Sequence, residues 1–178
     1  MAVIDGSAKP GGWEAAFAGR LASTLYRRGL DEEATPLAVA GPQDLEGYAA
    51  RLGRANCLVL FGADDEHGMV RLRDLWEWLR THIAGPKLLA VAWWQHYDDG
   101  LSQEMFNDSG GFAPLFTGPK GPADERETGL FLLKFFTELD LHSEAEGAIT
   151  GRMAWFAWSK ARELLRRRGL PSEFSIRA

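Results

Sequence analysis

The chain has a single cysteine, Cys57, among its 178 residues. One thiol excludes an internal disulfide framework and a thiolate metal cluster. It lies inside the apolar run Cys57-Leu58-Val59-Leu60-Phe61, where a buried and inert thiol is expected. An excess of positive charge is also missing. The 20 Lys and Arg stand against 25 Asp and Glu, for a net charge of −5. Phosphate neutralisation needs a basic patch, so no nucleic-acid partner is expected. The one basic run, Arg166-Arg167-Arg168, falls near the end of a predicted helix, where it complements the helix dipole. No apolar stretch approaches the roughly 20 residues that span a bilayer. The N-terminus shows no basic segment followed by an apolar core. A cytoplasmic protein with no membrane partner is the expectation.

What is present is an ordinary globular composition, 46% hydrophobic and 25% charged. A chain of this length forms one domain by size and buries about 70% of its unfolded surface. The order of elements then predicts the class. Met1–Ile4 is a short apolar run, followed by a helix over about Trp13–Arg28 with Phe17, Leu21 and Leu25 on one face and Gly29 as its stop. Ala34–Ala40 reads as a strand, and Pro36 places it at a sheet edge. A short helix follows over Asp44–Leu52. Asn56–Phe61 is a continuous apolar strand of the kind covered on both faces. A helix over about Val70–His82 turns Leu72, Leu75, Trp76, Leu79 and Ile83 inward, and Leu88–Trp94 is another apolar strand.

Residues 98–123 are rich in Gly, Pro, Asp and Ser and read as a long loop. Glu125–Leu139 is an apolar helix, His142–Thr150 a weak fifth strand, and Met153–Arg168 the last helix. Strand and helix alternate five times. The expectation is an α/β chain of one domain, residues 1–178, with a doubly wound five-stranded parallel sheet and helices on both faces.

Such sheets bind ligands beyond the carboxyl ends of their strands, near the point where strand order reverses. Three loops occupy those ends: Asp5–Gly12, Gly62–Gly68 and Trp93–Gly100. The first suits an anion. Small residues let backbone N–H groups approach a phosphate, the following helix offers its positive end, Ser7 adds a hydroxyl and Lys9 a charge. The plainer reading is a Gly-rich turn that joins a strand to a helix. The other two loops carry acids and histidines: Asp64, Asp65, Glu66 and His67, then His96, Asp98 and Asp99. Such side chains can hold a divalent metal and support hydrolysis. They are equally ordinary in exposed loops, and no recognisable metal spacing is present, so no metal ligand is assigned. His82 and His142 read as surface residues.

Several of these segments resemble the flavodoxin-like NAD(P)H-dependent FMN reductases. Ala2-Val3-Ile4-Asp5-Gly6-Ser7-Ala8-Lys9-Pro10-Gly11-Gly12 resembles that family's first strand and phosphate loop. Ala55–Gly62 resembles its third strand, Leu72–Leu79 the helix that follows, and Pro86–Ala92 the fourth strand. Leu139–Glu146 resembles the segment leading to the fifth. The resemblance implies a flavodoxin-like fold, FMN as cofactor, NAD(P)H as substrate, oxidoreductase activity and a homo-oligomer. It places Ser7, Lys9, Gly11, Gly12 and Trp13 about the flavin phosphate, and Gly62, Ala63, Gly68, Trp94 and Gln95 about the ring. No catalytic side chain is implied, because the hydride chemistry belongs to the cofactor. The chain also departs from the family. Trp13 and Glu14 stand where Ser, Asn or Thr is usual, Asp64 and Glu66 where Pro and Tyr are usual, and Trp93-Trp94-Gln95-His96 replaces a Gly-rich loop. Those departures keep a second reading open, a flavodoxin-like scaffold without cofactor that serves as a binding or assembly module. A metal-dependent hydrolase is the third.

The seven tryptophans bear on association. Trp76, Trp78, Trp155, Phe156 and Trp158 are most simply core residues. Some of them fall on opposite faces of their helices, however, and a helix cannot bury two opposite faces against one sheet. One face is left for a partner subunit.

Overall fold

A computed structural model describes residues 1–6, 13–63, 71–85, 87–94, 103–105, 107–108, 112–119, 125–146, 150–170 and 174–177. The chain forms two compact units, Met1–Pro114 and Leu115–Ala178.

The first unit is a parallel four-stranded α/β sheet. Its strands are β1 (Ala2–Asp5), β2 (Leu37–Ala38), β3 (Cys57–Ala63) and β4 (Lys87–Trp94), in the spatial order β2-β1-β3-β4. All three pairings are parallel, with Ile4 opposite Leu37, Val3 opposite Val59, and Leu60 opposite Val91. The strands are continuous apolar runs because both faces are covered. All four residues of β1 are buried, as are Cys57 through Phe61. From β1 the chain moves one way to β2, and from β3 it moves the other way to β4. Right-handed crossovers therefore place the intervening helices on opposite faces.

Helix α1 (Trp13–Arg27) buries Phe17, Ala18, Leu21, Ala22 and Leu25, the stripe predicted from spacing four. Gly29 ends it with φ of +76°, and the Leu30 amide donates to the Leu25 carbonyl across 2.9 Å. A side chain at Gly29 would be strained in that left-handed conformation. A 3-10 turn (Pro42–Tyr48) runs into α2 (Ala49–Arg54), with Leu45 and Leu52 buried. Helix α3 (Leu72–His82) turns Leu72, Leu75, Trp76 and Leu79 inward, and Ile83 follows them. Trp78, on the other side, is half-buried and stacks on His82 with ring centroids 4.6 Å apart.

The second unit holds β5 from Leu115 onward (the strand is Phe112–Pro119), α4 (Glu125–Glu146), α5 (Gly151–Arg167) and β6 (Phe174–Arg177). β5 and β6 pair antiparallel, with Thr117 opposite Ile176 and Pro119 opposite Phe174. Helix α4 buries Phe131, Leu132, Phe135, Phe136 and Leu139. Phe131 stacks on Phe174 of β6 at 4.0 Å between centroids and 4° between planes. Helix α5 packs against α4, and Ala154, Ala157 and Ala161 are buried along its inner side, where small side chains permit close approach. Thr150 caps α5, its hydroxyl accepting from the Met153 amide at 3.3 Å. None of the described helices is long and apolar enough to cross a membrane.

Two expectations need correction. The segment 98–123 is not a loop throughout, since Phe112–Pro119 is a strand. Pro114, Gly118 and Pro119 conceal it, while Phe112, Phe116 and Thr117 carry the strand propensity. The parallel fifth strand expected at 142–150 is also not formed as read. Helix α4 continues through Glu146, so His142–Glu146 is helical. Leu139–Glu146 contains no β-branched residue, and its Leu, Glu and Ala are good helix formers. The apparent alternation of Glu144 and Glu146 with Ala145 was too short to signal a strand. The parallel sheet thus has four described strands, and a strand at Phe174–Arg177 was not expected.

Candidate functional site

The carboxyl ends of β1, β3 and β4 lie side by side. Asp5 is opposite Phe61, Gly62 opposite Trp93, and Ala63 opposite Trp94. Strand order reverses between β1 and β3, so that pair of strand ends is the switch point of the sheet. The gap is tightly held. The Gly6 amide donates to the Phe61 carbonyl across 2.8 Å, and on the other side the Val39 amide donates to the Asp5 carbonyl across 2.9 Å. Phe17 of α1 sits against Phe61, centroids 5.1 Å apart, which seats the first turns of α1 over the end of β3. Gly6 and Gly62 are both buried at this edge.

Four of the residues singled out in the sequence fall on described elements. Trp13 is the first residue of α1, Gly62 and Ala63 end β3, and Trp94 ends β4. The register brings Ala63 and Trp94 together as cross-strand partners, about 4.8 Å apart in the hydrogen-bonding direction. Ser7, Lys9, Gly11, Gly12, Gly68 and Gln95 lie outside the described residues, as do the acids and histidines of the second and third loops. Among the described residues no three His, Cys, Asp or Glu converge as a metal site.

Asp5 is the residue that sequence reasoning passed over. It is only 6% exposed, a carboxylate held at the switch point itself. The signal was available. An apolar strand that ends in an acid, ahead of Gly6 and Ser7, puts that acid where ligands of parallel sheets bind.

Other chemistry-bearing groups are elsewhere. Cys57 begins β3, six residues from Ala63, hence about 20 Å from the candidate site. Burial pushes its thiol up to about 12, so it is no nucleophile at neutral pH. The buried charges Asp31 and Arg51 precede β2 and β3, at the amino-terminal edge of the sheet. Arg51 donates from Nη2 to Asp31 Oδ1 at 2.7 Å and from Nη1 to Glu33 at 3.0 Å. The amino group of Met1 donates to the Leu30 carbonyl beside them. This cluster ties chain crossings together on the face away from the site.

No family model matches the chain, and no curated protein or solved structure matches it.

Proposed function

We propose that the first unit is a flavodoxin-like domain that holds FMN at the carboxyl ends of β1, β3 and β4, as an NAD(P)H-dependent reductase does. The observation that supports this is the strand order β2-β1-β3-β4, with its reversal between β1 and β3. Flavodoxin-like sheets share that beginning and keep FMN at that gap. In this reading Ser7, Lys9, Gly11 and Gly12 hold the phosphate between the end of β1 and the start of α1, whose positive end begins at Trp13. The Gly6 amide is already committed to Phe61, so the donors come from Ser7 onward. Gly62 and Ala63 leave room for a ring edge, Trp94 supplies an aromatic flank, and Gly68 and Gln95 complete the surround. Bound flavin would accept hydride from a nicotinamide, and the chain would contribute position and electrostatics.

One observation favours a second reading. An acidic residue, Asp5, is buried at the switch point, a side chain that suits a phosphate there poorly. With Glu14 at the start of α1, it supports a flavodoxin-like scaffold that binds no flavin and serves as a binding or assembly module.

The deciding experiment is the visible absorption spectrum of the purified protein, before and after incubation with excess FMN and desalting. Flavin bands that survive desalting support the first reading, and nicotinamide oxidation is then measured. A flat spectrum in both samples, with no thermal stabilisation by FMN, removes that reading and leaves the scaffold.

A further inference from the structure

Helix α5 presents an outer face that combines exposed rings with cations. Trp155 is 58% exposed and Phe156 42%, the two most exposed large aromatics on any described helix apart from Tyr26. Arg152, Ser159, Arg162 and Arg166 are exposed beside them. Spacings of three and four residues put all six on one side of the helix, opposite the buried Met153, Ala154, Ala157, Ala161 and Leu165.

The charge of this segment is reversed relative to the whole. Residues 150–168 carry six of the 20 Lys and Arg but only one of the 25 Asp and Glu, Glu163. Glu163 is engaged by Arg167 at 2.5 Å. Among the described residues no carboxylate lies within ion-pair distance of Arg152, Arg162 or Arg166. The cations and rings are interleaved. Arg162 lies 4.6 Å from the Trp158 ring centroid, Lys160 lies 5.2 Å from that of Phe156, and Trp155 meets Trp158 edge to face at 4.9 Å.

We infer that this face docks on an anionic lipid surface. Two copies of the face set against each other would oppose like charges, which argues against a symmetric dimer through it. The exposed rings and cations lie along one side of a helix about 25 Å long. A bilayer interface suits such a line of contacts. It takes Trp and Phe at headgroup depth and pairs Lys and Arg with lipid phosphates, each cation strengthening attachment. The helix keeps its apolar stripe for its own unit and meets the membrane with the opposite side. The overall charge of −5 does not govern a surface whose local sign is positive within a Debye length, and the lack of a spanning apolar stretch, from which no membrane partner was expected, does not bear on a surface contact.

The test uses the full chain and flotation with phosphatidylcholine vesicles, with and without phosphatidylglycerol. Association with the anionic vesicles only, weakened severalfold by high salt, is expected. The triple variant Arg152→Glu, Arg162→Glu, Arg166→Glu should lose at least about tenfold in partitioning. Trp155→Ser with Phe156→Ser should lose binding while circular dichroism still shows a folded helical protein. Brominated lipid should quench wild-type tryptophan emission more than that of Trp155→Phe. Failure of the wild type to float with anionic vesicles, or equal flotation of the charge-reversed variant, overturns the inference. Self-association abolished by the same variants, without lipid binding, overturns it in favour of a second copy.

Discussion

Arg51 Nη2 donates to Asp31 Oδ1 at 2.7 Å, with the Asp31 side chain wholly buried and that of Arg51 7% exposed. The pair joins the end of α2 to the stretch before β2, elements 20 residues apart in sequence. Asp31 Oδ2 and Arg51 Nε find no hydrogen-bond partner among the described residues. Such a pair stabilises little relative to apolar packing, and the loss of Asp31 leaves the buried Arg51 head with only the exposed Glu33 carboxylate and the Thr35 carbonyl. Asp31→Ala should therefore cost about 1–3 kcal/mol in urea unfolding, less than a wholly stranded charge would. The double change Asp31→Leu with Arg51→Met should recover most of that loss. A single variant within about 0.5 kcal/mol of wild type would show that the pair is not buried in solution.

Cys57 gives the chain a specific alkaline response. Burial raises its thiol from 9.0 to about 12. The native state keeps a proton that the unfolded chain releases, so the contribution is complete below about pH 9 and lost as the pH rises towards 12. The stability gap between wild type and Cys57→Ala should shrink by about 1.4 kcal/mol per pH unit in that window. A gap that stays constant with pH contradicts the assignment. A thiol reagent should find Cys57 silent in the native protein and reactive once it is unfolded.

The C-terminal strand is pinned by one ring on another. Phe174 is buried and stacked on Phe131, itself fully buried. Phe174→Ala should destabilise the second unit by about 3–5 kcal/mol and expose the last residues to carboxypeptidase. Phe174→Leu should cost less, because it keeps most of the volume. Protease resistance equal to wild type in the alanine variant would mean that β6 is held by its ladder alone.

The flavin reading makes a directional prediction at the first loop. Ser7→Asp adds a carboxylate to the segment proposed to hold the phosphate and should weaken FMN uptake at least about tenfold, as loss of a charged-group hydrogen bond would. Asp5→Asn removes the carboxylate from the switch point and should leave uptake intact or strengthen it. If wild-type protein takes up FMN and Ser7→Asp takes it up equally, the phosphate lies elsewhere.

Much of the first unit was legible in the sequence because its signals are redundant. Phe17, Leu21 and Leu25 repeat at helical spacing, Gly29 stops the helix, and Cys57–Phe61 is too apolar to be half-exposed. The second unit was harder to read. Pro114 and Pro119 mask β5, and its pairing with β6 joins residues about 60 positions apart, which no local pattern encodes. The segment after Leu139 alternates for a few residues only, and helix propensity decided the outcome. At the candidate site, Trp94 ends β4 as the apolar run Leu88–Trp94 predicted, whereas Gly62 and Ala63, read as the start of a loop after Phe61, are the last residues of β3. The burial of Asp5 was not legible, because it depends on how β2 and β3 close around β1.

The brevity of β2 has a consequence for solubility. A long parallel sheet ending in an open edge would offer a ladder of free donors and acceptors to any passing strand. Here β2 is two residues long, and Pro36 just before it has no N–H to give. A foreign chain could gain too few hydrogen bonds at this end of the sheet to recruit further copies, so the apolar strands behind it are shielded from cross-β aggregation by the shortness of their neighbour.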